Sequence, residues 1–168
     1  LLLQERVPKG ALPHRLPNRA VDADTASPIA TVAVRRYRDP NTSASQTQVL
    51  SNGSLISLVT NAGGGALQWR GKSVTRARLD LTNDRVSQAI YVRDVRAGRR
   101  WSATYQPMTT EPDDYEVTFQ ADKATFFRRD GDVATRLEVA VSPEDDVEVR
   151  RLTVHNRGPR VRELEVPR

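Results

Sequence analysis

"YEVTFQADKATFFRRDGDVATRLEVAVSPEDDVEVRRLTVHN", residues 115–156, is the stretch whose reading decides the fold. Tyr115, Val117 and Phe119 are apolar and alternate with polar residues, the period-2 pattern of a strand with one buried face. "ATFFRRDGD" follows and ends at a turn near Asp130–Gly131. "TRLEVAVS" repeats the alternation through Leu137, Val139 and Val141, and "SPEDD" supplies the next turn. In "VEVRRLTVHN" the apolar phase moves by one residue, from Val147 and Val149 to Leu152 and Val154. Such a shift predicts a β-bulge at Arg150–Arg151. "RGP" then turns, and "RELEV" begins another strand.

The pattern continues upstream. "QVLSNGSLISLVT" holds two apolar runs around Asn52–Gly53, a dipeptide that suits a type I′ hairpin turn because both residues tolerate positive φ. "QAIYVRDVRAGRRWSATYQP" has the same design, with its turn around Ala97–Gly98, and "TVAVRRY" reads as a short strand. Past residue 40 no segment has the length and period of a long helix. Strands spaced by roughly 10 to 15 residues and joined by turn signals predict an all-β chain, an antiparallel β-sandwich over residues 31–168. Residues 1–30 differ. "VPKGALPHRLPNRAVDADTASP" carries Pro8, Pro13, Pro17 and Pro28 without apolar periodicity, and reads as an irregular linker or arm from an upstream domain. The chain lacks an initiator Met and stops at Arg168 just after a strand has begun, so the expectation is a truncated sandwich that folds poorly by itself.

With 168 residues the chain can bury one ordinary core. It has no cysteine, which excludes disulfides and thiolate metal sites and suits a reducing compartment. No apolar run approaches the roughly 18 residues needed to span a bilayer, and Leu1–Leu3 is too short for a signal-peptide core. The net charge of +5 permits anionic partners. The arginines, however, are interleaved with acids, as in "RRDGDVATRLE", which predicts a solvated, ion-paired surface.

Chemical motifs are sparse. His14 and His155 stand in unlike contexts and make a poor metal site without cysteine. "GKS" at Gly71–Ser73 lacks the phosphate-loop spacing, and there is no nucleophile elbow. The acidic clusters "EPDDYE" and "SPEDDVE" sit beside proline between strands, where they build turns rather than a general acid–base pair. What remains is "VTNAGGGALQWRGKSVTR", residues 59–76, and its continuation. Trp69, Arg70, Arg76, Arg78, Asp80, Asp84, Tyr91, Arg93 and Asp94 form a dense set of sugar-compatible side chains. An indole face stacks on a pyranose, and Arg and Asp hydrogen-bond vicinal hydroxyls. Glycines beside them let a ligand or a neighbouring domain approach the backbone. The plainer alternative is a Gly-rich turn followed by a core tryptophan and surface salt bridges.

The blocks "LLLQERVPKGA", "SNGSLISLVTNAGGGALQWRGKSVTR", "YVRDVRAGRRWSATYQP" and "VSPEDDVEVRRLTVHNRG" together resemble one family. They are similar to the start of the glycoside hydrolase family 94 module (cellobiose phosphorylase-like, glycosyltransferase family 36) of cyclic β-1,2-glucan synthases, across almost the whole chain and in the same order. The pattern departs from the family's at Ala77 and at Val86–Ser87. The resemblance implies a carbohydrate-binding β-sandwich, part of a galactose mutarotase-like supersandwich, that opens a phosphorylase module. The implied parent is a bacterial inner-membrane protein with this module on the cytoplasmic side. It would use inorganic phosphate as co-substrate, and UDP-glucose at another domain. An (α/α)6 barrel would follow and carry the catalytic acid, so no catalytic residue, cofactor or metal site is expected in this chain. The implied partners are a β-glucan oligosaccharide, the barrel and a homodimer mate, with no nucleic acid and no direct membrane insertion. The substrate-binding candidates on the matching block are Gly63, Gly64, Gly65, Trp69, Arg70, Thr75 and Arg76. A scaffold or dimerisation sandwich that binds no sugar stays open, as does, more remotely, an arginine-rich nucleic-acid binder.

Overall fold

The computed structural model describes residues 33–75 and 88–167. The expected arm over residues 1–30 lies outside them, as do Arg76, Arg78, Asp80 and Asp84. Every regular element among the described residues is a strand: β1 (Arg35–Tyr37), β2 (Thr47–Ser51), β3 (Leu55–Thr60), β4 (Gly65–Trp69), β5 (Lys72–Ser73), β6 (Tyr91–Asp94), β7 (Arg99–Ser102), β8 (Asp114–Phe119), β9 (Lys123–Asp130), β10 (Val133–Val141), β11 (Glu148–Asn156) and β12 (Leu164–Glu165). All pairings are antiparallel, as the alternation predicts. A five-stranded sheet runs β1-β8-β9-β10-β11, a four-stranded sheet β2-β3-β4-β5, and a three-stranded sheet β12-β6-β7.

The deciding stretch forms the middle of the large sheet. Tyr37, Val117, Phe126, Leu137 and Leu152 stand opposite one another in a single row across all five strands. Val117 and Phe126 are wholly buried, and side chains of this size contribute roughly 1.5–3 kcal/mol each when taken out of water. Leu50 and Val59 from the four-stranded sheet, with Ala62 just after β3, close the core from the other side. Val92, Trp101 and Val133, with Leu152 and Leu164 against them, make a smaller second cluster under the three-stranded sheet.

Three expectations are corrected. β11 contains no bulge: its register against β10 runs unbroken from Val141↔Glu148 to Val133↔Asn156. The shift in apolar phase has another cause. The inward positions 148 and 150 hold Glu148 and Arg150, which pair with each other at 2.6 Å, while Val149 faces outward and is exposed. The β2–β3 turn is not type I′, since its central residues are Gly53 and Ser54 and only Gly53 has positive φ, the type II′ pattern. Asn52 precedes them as a cap, its Oδ1 accepting the Ser54 and Leu55 amides at 3.1 and 2.8 Å. The two-residue turn with both φ positive is instead Arg70–Gly71, at 47° and 76°, between β4 and β5.

The third correction concerns "RRDGDVATRLE". Arg129 and Arg136 are solvated, but Arg128 is fully buried. Its Nε and Nη2 donate to the two carboxylate oxygens of Asp130 at 2.7 and 2.8 Å, Nη2 also reaches the Thr110 carbonyl, and Nη1 reaches that of Thr104. Both residues continue the inward face of Ala124 and Phe126, where four hydrogen bonds from the guanidinium make burial of a charged pair tolerable.

Candidate functional site

The predicted site residues divide between the two ends of β4. At its start lies the glycine run. Gly63 and Gly64 are buried. Gly63 has φ +89°, and a Cβ there would lie 2.2 Å from the Cβ of Thr104. A Cβ on Gly65 would lie 2.0 Å from the Leu58 carbonyl oxygen. The preceding Asn61, wholly buried, accepts the Gln46 amide at 2.9 Å and donates to the Asp39 carbonyl and Thr42 Oγ1, both at 3.0 Å. The Ala62 carbonyl takes the Gln106 amide at 2.8 Å. Gly63 and Gly65 therefore let the chain pass close against the segment after β7 and its own strand β3.

Trp69 and Arg70 lie at the far end, about 13 Å along the strand by its rise. Three hairpin tips meet there. Arg70 donates its amide to the Ser54 carbonyl at 2.8 Å, which binds the β4–β5 tip to the β2–β3 tip. Asn52 donates its side-chain amide to the carbonyls of Ser142 and Asp145 at 3.1 and 2.9 Å, which brings in the β10–β11 turn. That turn presents Asp146. Its Oδ2 accepts the Trp69 indole N–H at 2.6 Å and its Oδ1 accepts the Ser54 hydroxyl. The Arg70 guanidinium lies 4.9 Å from the centre of the Trp69 ring, a cation–π stack. Trp69 stays 38% exposed, so it is not the core tryptophan of the plainer reading; Trp101, 2% exposed, occupies that role.

The electrostatics define what this cluster can do. Asp146 is held below the usual carboxylate range by the Ser54 hydroxyl first, then by the Trp69 N–H, with Asn52 and the charge of Arg70 adding to them. A carboxylate so supplied with donors stays ionised at neutral pH and is no general acid. The cluster fixes an indole by its polar edge and leaves the Trp69 side chain partly exposed beside an arginine. Thr75 supports it indirectly: its hydroxyl accepts the Leu67 amide at 3.0 Å and closes the end of the hairpin. Arg76 lies outside the described residues.

Sequence reading missed Asn52, Ser54 and Asp146. Asp146 lies 77 residues from Trp69, and its local signal is only that of a turn. A second concavity, about 530 Å³, is lined by Gln88, Ile90, Glu148, Arg150, Leu152 and Val166. Glu148 there accepts the Ser57 hydroxyl at 2.5 Å. Among the described residues no group of His, Asp or Glu has the makings of a metal site.

The family model described as "Glycosyl hydrolase 94, supersandwich domain" matches residues 30–167. A curated relative, the cyclic beta-(1,2)-glucan synthase NdvB of Rhizobium meliloti (strain 1021), is 34% identical over 168 residues. The match covers 99% of this chain but spans only 6% of that relative's length.

Proposed function

The chain belongs to the glycosyl hydrolase 94 supersandwich family, and from that premise we propose that it contacts a β-1,2-linked glucan through Trp69 and Arg70. Its part is positional. It would hold a glucan segment for a catalytic barrel of the same parent protein, in which inorganic phosphate attacks the anomeric carbon and a barrel carboxylic acid protonates the leaving oxygen. Correct placement of a saccharide converts binding into rate without any proton transfer from the sandwich. The observation that carries this reading is the half-exposed indole locked by Asp146 and flanked by Arg70. Similarity to a relative named for β-(1,2)-glucan synthesis supplies the ligand class.

The test uses intrinsic fluorescence. Linear β-1,2-glucan oligosaccharides are expected to change the emission of the chain saturably, and Trp69→Ala is expected to abolish the change. Arg70→Ala should weaken affinity roughly tenfold, the loss of one cation–π or charged hydrogen-bond contact. No response, or a response kept in Trp69→Ala, would refute it. A second reading, a scaffold that docks the barrel or a second subunit, has its own support. Val49, Leu58 and Ala66 stand in one row on the outer face of the four-stranded sheet, with Val49 54% exposed and Ile56 beside them 37% exposed. Loss of docking on Val49→Asp with glucan binding intact would favour that reading.

A further inference from the structure

A small polar cavity lies where the β6–β7 turn, the β9–β10 turn and residues 157–162 converge. It measures about 110 Å³ and is lined by Asp94, Arg99, Trp101, Asp130, Asp132 and Arg162. Arg162 spans it, donating from Nη1 to Asp94 at 2.9 Å and from Nη2 to Asp132 at 2.7 Å. The second oxygen of Asp94 accepts the Ala97 amide at 2.9 Å. Both oxygens of Asp130 are taken by Arg128. Gly158 permits the close approach of the covering segment, because a Cβ there would lie 2.5 Å from Asp132 Oδ2.

Two donors on residues that line this cavity have no partner. The indole N–H of Trp101, a residue only 2% exposed, and the Nε–H of Arg162 are both buried and unpaired. Buried N–H groups are nearly always paired with protein or with a bound oxygen. Both donors belong to residues that line the cavity. Charge decides its kind. The carboxylates of Asp94, Asp130 and Asp132 are matched by the guanidiniums of Arg162, Arg99 and, behind Asp130, Arg128. With that balance neither a cation nor an anion is called for. The volume is several times what one water needs, and well below the roughly 300–1,000 Å³ of pockets that enclose a whole ligand.

We propose that this cavity binds a neutral hydroxyl oxygen, from water or from one hydroxymethyl or hydroxyl group of a sugar or other polyol. The oxygen accepts from Trp101 Nε1–H and Arg162 Nε–H and donates its own proton to Asp132, whose carboxylate has acceptor capacity to spare. This goes beyond the glucan reading of Trp69 and does not depend on it.

The chain has two tryptophans, so its ¹⁵N-labelled form gives two indole N–H signals, and Trp69→Phe identifies the one from Trp101. In plain buffer a through-space cross-peak between the Trp101 indole proton and water is expected. Added D-glucose or glycerol separates the sources. A shifted Trp101 signal with loss of the water peak assigns the oxygen to a polyol, and an unchanged peak assigns it to water. A Trp101 proton with neither a water cross-peak nor a polyol response would overturn the proposal, as would a shift caused by inorganic phosphate or by calcium. Since Trp69 gives a separate signal, failure here and failure of the glucan reading are told apart in one experiment.

Discussion

Glycines that look alike in the sequence carry unlike constraints. Gly63 combines φ +89° with a neighbour 2.2 Å from any added Cβ, whereas Gly53, at φ +98°, has nothing within 4 Å. Gly53→Ala is therefore expected to cost only the backbone strain, about 1–2 kcal/mol. Gly63→Ala adds overpacking against Thr104 and is expected to cost about 2–4 kcal/mol. Urea midpoints of the two variants, at unchanged slope, check the order. The same contrast explains how the candidate site was read. A glycine triplet beside Trp-Arg suggests backbone opened to a ligand, yet at Gly63 and Gly65 the close neighbours are Thr104 and Leu58 of the protein itself, and the stacked Trp69 and Arg70 lie at the other end of β4. Asp146, their anchor, carried no mark in the sequence beyond that of a turn residue.

Among the strands, β9 shows how far alternation can be trusted. Ala124, Phe126, Arg128 and Asp130 all point inward, so the period is right while the polarity rule breaks at its last two members. Removing one partner of a buried pair strands the other. Arg128→Leu is expected to destabilise by about 3–5 kcal/mol, and the double variant Arg128→Leu/Asp130→Val to recover most of that loss. Denaturant unfolding of both variants decides the matter, and an unrecovered double variant would show that the carbonyls of Thr104 and Thr110 need the guanidinium for themselves. β11 teaches the same lesson, since Glu148 and Arg150 satisfy each other on an inward face and so imitate a shift in phase. Turn types were less legible still. Asn52 and Gly53 fit a type I′ pair by local preference, but the side chain of Asn52 is used to bridge to the β10–β11 turn, and the left-handed pair fell to Arg70–Gly71.

Across the whole molecule, titration couples the three sheets to pH. Asp94 is held low by the Ala97 amide and by Arg162, Glu138 by Arg151, Lys123 and Arg136, and Asp146 by the cluster at Trp69. Carboxylates with depressed folded values stabilise the fold above their unfolded value, and that contribution is lost as pH falls through the folded one, below about 4. Burial raises Tyr115, whose hydroxyl donates to the Asn61 carbonyl at 2.8 Å. An acid raised in this way stabilises the fold below its unfolded value and ceases to do so as pH climbs past about 10. Stability is thus expected to be flat between those limits and to fall on both sides, as urea midpoints measured against pH would show. Loss of the alkaline fall in Tyr115→Phe would assign it. The sequence by itself determined the all-β class, the hairpin order and the inward row of Tyr115, Val117, Phe119, Leu137 and Val139, because side-chain alternation and turn chemistry are local properties of the chain. Only the tertiary structure decided which polar residues could be buried, what the glycines touch and which aspartate holds Trp69, because those outcomes depend on groups brought together from distant strands.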